Sequence, residues 1–381
     1  MFLFRNTKSL LSELGAASSH GRLGELFLQE KCASILLVTD KGVRDAGLIQ
    51  GAVKNLNSHG IKVTIFDKVE ADPSESIIHD AVQSAGNDID GVLGFGGGSS
   101  MDVAKVVAFL KGPTNQTLSD LYGVDQCEGE RLPLIQVPTT AGTGSEVTPI
   151  SIITTGANSK MGLVSRQLFP DVVVLDGNLT ITMPKSVTAA TGIDAMVHAI
   201  EARTSRVQKN PLSDMLAHEA LRLLSSNIRQ VCQDGRDGRA RGEMLLGSCL
   251  AGMAFANAPV AAVHALAYPL GSHFKIPHGL SNALVLPHVL RFNNQHPDAA
   301  REYDQISDIC HFERTSSCSL ADGMHLLAME LDVPTTLSEV GVCASDVEML
   351  STEAMKQQRL LPNNPVEVTL ADCRSMYNLA L

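Results

Sequence analysis

Between residues 34 and 176 the chain repeats one rhythm: a short, apolar, β-branched run, then a helix-length amphipathic stretch, then another run. The runs SILLVTD (34–40), KVTIFD (62–67), GVLGF (91–95), LIQVPTT (134–140) and VVVLD (172–176) are candidate strands. Each is too short and too uniformly apolar for a half-exposed helix, so the pattern predicts a parallel sheet covered by helices. Past Pro184 the rhythm stops. Long Ala-, Leu- and Met-rich segments (186–205, 211–233, 239–256) follow without a convincing strand, which predicts a helical bundle. The fold class is therefore α/β plus all-α, with a parallel-sheet domain over 1–183 and a helical domain over 184–381. The boundary is placed at Pro184-Lys185-Ser186, because proline near a helix start removes only an amide that lacks an intrahelical partner. The charged, glycine-rich DGRDGRARGE (234–243) reads as a surface loop.

A chain of 381 residues suits two domains. A net charge of −11 gives it no general attraction for nucleic acid or an anionic membrane surface, and a small-molecule substrate fits better. The apolar runs are broken well short of the roughly 20 residues that span a bilayer. The opening MFLFRNTKSLL lacks the order of a secretory signal and reads as part of the folded protein. Eight scattered cysteines without CxxC or zinc-finger spacing point to free thiols in a reducing cytoplasm.

The run GFGGGSSMDVAK (94–105) follows a predicted strand and opens a predicted helix. In that context Gly96, Gly97 and Gly98 can take positive φ and admit a ligand close to the backbone, while Ser99 or Ser100 caps the helix and its free amides face a pyrophosphate. PTTAGTGSEVT (138–148) is a second hydroxyl- and glycine-rich stretch at a strand end. Asp40, closing the 34–40 strand, is placed to accept hydrogen bonds from an adenine-side ribose and to repel a 2′-phosphate, which favours NAD(H) over NADP(H). The acidic residue precedes the glycines in the chain, where the Rossmann fingerprint has it following, so a distinct nucleotide fold is implied. The N-terminal domain is thus expected to bind a dinucleotide.

In TGIDAMVHAIEA, Asp194 and His198 stand four apart in a predicted helix, so both side chains leave one face. Downstream, VHALAYPLGSHFKIPHG offers His264 and His278. One carboxylate and three imidazoles make a borderline set suited to Fe(II) or Zn(II), with room for a substrate oxygen.

These segments resemble the iron-containing, group III alcohol dehydrogenase family, marked by the GGGS turn, PTTxGTGSE, DAxxHAIE and HxxxxxPLG…PHG. Here they read Gly96–Ser99, Pro138–Glu146, Asp194–Glu201 and His264–Gly279, in order, within a resemblance that runs from about residue 30 to the C-terminus. The resemblance implies a dehydroquinate synthase-like architecture, with an α/β domain, a helical domain and the site in the cleft between them, and a homodimer or assembly of dimers. It implies metal ligands Asp194, His198, His264 and His278, and cofactor contacts at Asp40, Gly97, Gly98, Ser99, Asp102, Thr139, Thr140, Thr143, Thr148 and Lys160. Three residues depart from it. Tyr268 stands where many members carry a second histidine near the nicotinamide, which makes it a candidate catalytic residue; Ser100 replaces a frequent proline and Arg203 a frequent tyrosine, both expected to be peripheral.

The expected activity is hydride transfer between a small primary alcohol or aldehyde and NAD(H), with the ion polarising the substrate oxygen. One alternative is a hydroxyacid-oxoacid transhydrogenase or maleylacetate-type reductase of the same superfamily. Its acidic substrate would need cations near the metal, for which Arg166, Arg203 and Lys275 are the candidates. The other is a nucleotide- and metal-binding protein without turnover.

Overall fold

The computed structural model describes residues 1–156, 159–313 and 318–381. Two compact units emerge: Asn6–Thr182 with Arg236–Leu245, and Met1–Arg5 with Met183–Gly235 and Leu246–Leu381.

The first unit is built on a six-stranded sheet in the order β1-β9-β6-β4-β2-β3, parallel at every pairing. Its strands are β1 (Ser9–Ser12), β2 (Ser34–Asp40), β3 (Lys62–Val69), β4 (Gly91–Gly96), β6 (Leu134–Pro138) and β9 (Val172–Leu175). Successive side chains of a strand point to opposite faces, and here both faces are core: Leu36 and Val38 enter one apolar cluster, Ile35 and Leu37 the other. Burial on both sides is why these runs lack polar alternation. The chain goes from β2 outward to β3, then returns to the other side of β2 as β4. This reversal puts the carboxyl ends of β2 and β4 at a topological switch point, where open α/β sheets leave a crevice for ligands.

Three further strands, β5 (Gly123–Val124), β7 (Ile150–Thr155) and β8 (Ser159–Val164), form a second sheet in which β7 and β8 pair antiparallel. Neither this sheet nor β1 was expected. β1 and β7 are edge strands, where polar residues interrupt the apolar pattern: β1 is largely exposed and β7 alternates buried with half-buried positions.

Among the described residues every regular element after Met183 is helical. We label as α1 the helix Gly98–Leu110 of the first unit; α2 (Lys185–Thr204), α3 (Pro211–Gln233), α4 (Gly238–Asn257), α5 (Ala262–Phe274) and α6 (His278–Asn293) follow. Pro184 sits at the N-cap of α2, and α3 opens with Pro211 behind an Asn210 cap. Helix α2 packs against α3 and α6, and α6 against α5. Among the described residues no single helix is long and apolar enough to cross a membrane.

The surface loop expected at 234–243 is found over 234–237 and corrected over 238–243. Helix α4 begins at Gly238, and Arg241 is only 2% exposed. The start of this helix is packed on closely: a Cβ on Gly177 would lie 2.6 Å from the Gly242 nitrogen, so Gly177 is the position that must lack a side chain.

Candidate functional site

Helix α2 carries Asp194, His198 and Glu201 at spacings of four and three, hence along one face. All three are buried. Helix α5 supplies His264 and α6 opens with His278. One ligand atom from each of Asp194, His198, His264 and His278 lies within 4.8 Å of the others. The approach of α6 depends on Gly279, where a Cβ would sit 2.4 Å from the Ala190 carbonyl oxygen and 3.3 Å from the Asp194 Cβ. The PHG glycine thus lets one helix start against the backbone of another.

The donor chemistry fits a cation. His264 Nε2 and His198 Nε2 stand 3.0 Å apart, and His278 Nε2 is 3.6 Å from Asp194 Oδ1. Two imidazole nitrogens at that separation need a shared proton or a shared positive ion between their lone pairs. Burial alone would raise the Asp194 carboxyl; the surrounding His198, His278 and His264 with the Asn282 amide outweigh it and hold the group below its ordinary range. An anionic carboxylate amid imidazoles is what a borderline divalent ion requires.

The surroundings fix these groups. Glu201 Oε2 is 2.6 Å from His264 Nδ1, and its Oε1 accepts from the Val263 amide at 2.8 Å. Asn282 Nδ2 donates to Asp194 Oδ1 at 2.6 Å and lies 3.3 Å from both His264 Nε2 and His278 Nε2. Phe255 stacks on His198 with ring centroids 4.4 Å apart. Tyr268, one turn past His264 on α5, has its ring 5.9 Å from His278 and 6.4 Å from His264. Spacing could have flagged Glu201, three after His198, and Asn282, four after His278; only their contacts give them a purpose.

In the first unit the two glycine-rich turns meet. Gly97 is the N-cap of α1, with φ of −75°, and no side chain caps the helix. The expected positive φ at Gly96–Gly98 and the serine cap are both corrected: among the described glycines with positive φ these three are absent, and Ser99 and Ser100 lie inside the first turn. Space explains the glycines. A Cβ on Gly98 would lie 2.9 Å from Thr143 Cγ2, and one on Gly96 2.7 Å from Ser100 Oγ, whereas one on Gly97 would meet nothing nearer than Thr140 at 3.6 Å. Gly97 therefore faces open space before the uncapped amides of α1.

Asp40 lies beside this turn, its Oδ1 capping the next short helix through the Val43 amide and its Oδ2 3.4 Å from Ser100 Oγ. Ser100, expected to be peripheral, is buried there, because Gly96 leaves room for it. Thr139 ties the turns together by donating from its amide to the Gly96 carbonyl at 3.0 Å.

Other expected contacts point inward. Asp102 Oδ1 accepts from Ser145 Oγ at 2.6 Å and its Oδ2 from the Ile152 amide at 2.9 Å. Thr148 Oγ1 is 3.2 Å from Lys105 Nζ. Lys160, on β8, is paired with Asp72 at 2.7 Å. Lys105, overlooked in the sequence, is fully buried and also donates to Ser145 Oγ and the Ile150 carbonyl at 2.7 and 2.6 Å. Burial pushes its pKa down, against Asp102 and Glu146, which support the charge. Burial likewise pushes Glu146 up to about 7. Arg203 is buried instead of peripheral, its guanidinium on Glu302 at 2.6 Å, and Lys275 is exposed at the left-handed C-cap of α5.

Comparison with known proteins accords with this arrangement. The pattern of the iron-containing alcohol dehydrogenases matches residues 14–177, and that of the C-terminal part of the same family matches 188–381. The chain is 38% identical over 353 residues to long-chain-alcohol dehydrogenase 1 of Geobacillus thermodenitrificans, covering 91% of this chain and 89% of that protein. The crystal structure of a 1,3-propanediol oxidoreductase superposes with a TM-score of 0.94 at 31% identity, covering 100% of both chains. A sulfoacetaldehyde reductase from Bifidobacterium kashiwanohense, solved in complex with NAD+, superposes with a TM-score of 0.89 at 27% identity, covering 100% of this chain and 98% of that one. The chain belongs to the iron-containing alcohol dehydrogenase family and is an oxidoreductase of alcohols and aldehydes.

Proposed function

We propose that the chain transfers a hydride between a small primary alcohol or aldehyde and NAD(H), with one divalent ion, Fe(II) or Zn(II), held by Asp194, His198, His264 and His278. The observation that carries this reading is the convergence of one buried carboxylate and three imidazoles. When bound, the ion supplies Lewis-acid polarisation of the substrate oxygen and the dinucleotide supplies the hydride acceptor. The chain's own residues do the rest. Asp194 offsets part of the ion's charge, the imidazoles leave a position for a small oxygen ligand, and Phe255 with Tyr268 walls the neighbourhood.

The dinucleotide-binding domain is 1–183 and the metal-binding domain 184–381. At the switch point Gly97, Gly98 and Ser99 offer amides to the pyrophosphate, Thr139, Thr140 and Thr143 offer hydroxyls, and Asp40 receives the ribose. Asp102, Thr148 and Lys160 are the remaining cofactor contacts, held by Ser145, Lys105 and Asp72 respectively. The enzyme is a cytoplasmic homodimer; its eight free cysteines suit a reducing compartment.

The test is NADH formation with Fe(II) or Zn(II) across primary alcohols and hydroxyacids, alongside metal analysis. His264→Ala should lose metal and turnover together. Full activity in that variant overturns the metal assignment, and a preference for hydroxyacids overturns the substrate class.

A further inference from the structure

We infer that Glu201 is a positioning residue that sets the tautomer of His264 and thereby the cation affinity of the site, a role resting on the metal reading above. The carboxylate is 5% exposed at its side chain and the imidazole 2%, so water does not compete for either. One oxygen is held by the backbone amide of Val263 at 2.8 Å, and the other is 2.6 Å from His264 Nδ1. A carboxylate only accepts, so Nδ1 must carry the proton. The lone pair is then left on Nε2, which points at His198 Nε2 and lies 3.3 Å from Asn282 Nδ2. Nδ1 is thus closed to a cation and Nε2 kept open for one. Orientation follows as well: Val263 immediately precedes His264, so one side chain grips both the backbone and the ring of the same helical turn.

Glu201→Gln is nearly isosteric yet reverses this logic. A Gln oxygen can satisfy the fixed Val263 amide, but its NH2 group then faces Nδ1. The ring must accept there and move its proton to Nε2, the atom a cation needs.

The experiment titrates metal-free wild type, Glu201→Gln and Asp194→Asn with Co(II), following its visible absorption and thermal unfolding. Glu201→Gln should weaken Co(II) binding by roughly 10- to 100-fold and alter the visible spectrum, with little change in the unfolding temperature of the metal-free protein. Equal affinity and an identical spectrum overturn the inference. If Asp194→Asn also binds as wild type does, the metal reading itself fails. If Glu201→Gln does not fold, 15N NMR of histidine-labelled, metal-free wild type decides, the ring being assigned by its absence in His264→Gln. A proton on Nδ1 of His264 supports the role, whether or not His198 shares a proton with Nε2, and a bare Nδ1 refutes it.

Discussion

Asn282 Nδ2 donates to Asp194 Oδ1 at 2.6 Å, from a position one helical turn beyond His278. Helix α6 therefore brings a histidine to the cluster and, on the same face, an amide that holds the carboxylate contributed by α2. The Asn282 Oδ1 atom is buried without a partner among the described residues. A side chain kept despite an unsatisfied oxygen, which typically costs about 1–3 kcal/mol, is there for what its nitrogen does.

Asn282→Ala should accordingly release Asp194 and weaken metal retention by roughly tenfold or more. Chelator competition with Zn(II) measures this; affinity within twofold of wild type would show that Asp194 needs no such support.

The two glycines of the α1 turn should separate packing from binding. A Cβ at Gly98 collides with Thr143, so Gly98→Ala should destabilise by about 1–3 kcal/mol and weaken NAD(H) binding. At Gly97 the added methyl finds ordinary contacts at 3.6 Å. Gly97→Ala should fold as well as wild type yet lose NAD(H) affinity, since the methyl occupies the space before the helix amides. Calorimetric titration checks both, and an unchanged dissociation constant for Gly97→Ala would remove the pyrophosphate from this turn.

Glu146 gives the protein a pH dependence of defined sign. Its carboxyl is raised from 4.5 to about 7 by burial, so the folded state favours the neutral form. Below the unfolded value both states are protonated and the full stability is present. As pH rises from about 4.5 through 7 the unfolded chain releases its proton first, and stability falls by on the order of 1 kcal/mol per pH unit. Glu146→Gln, which stays neutral, should flatten this slope in unfolding midpoints taken between pH 5 and 7.5. An equal slope in both proteins would assign the dependence elsewhere.

Tyr268 sits beside two of the four clustered residues without being one of them. Tyr268→His should therefore change kcat/KM ratios across an alcohol panel far more than it changes metal content. Unchanged ratios would place the ring outside the substrate pocket.

Much of the architecture was legible because buried parallel strands and long helices write themselves as uniform apolar runs and as spacings of three and four. The five runs between 34 and 176 became strands of the main sheet, and the segment carrying Asp194 and His198 became one helix. Strands β1 and β7 were not legible, since edge strands carry polar residues that break the signal, and β8, SKMGLV between β5 and β7, carries serine, lysine and glycine in six residues. The 234–243 segment misled for the opposite reason: charge and glycine suggested solvent, but from Gly238 onward it is helix, and Gly177, distant in the chain, packs on its backbone.

The residue types by themselves determined the chemistry on offer: a carboxylate and imidazoles for a cation, and glycines before a helix for a phosphate. Which atom of each residue does what was decided only by folding. Gly97 and Gly98 differ because Thr143 comes from another turn, and Glu201 governs His264 because the first turn of α5 meets α2 at Val263 and His264. Tautomer, burial and clearance depend on partners distant in the chain, and local sequence carries no record of those distances.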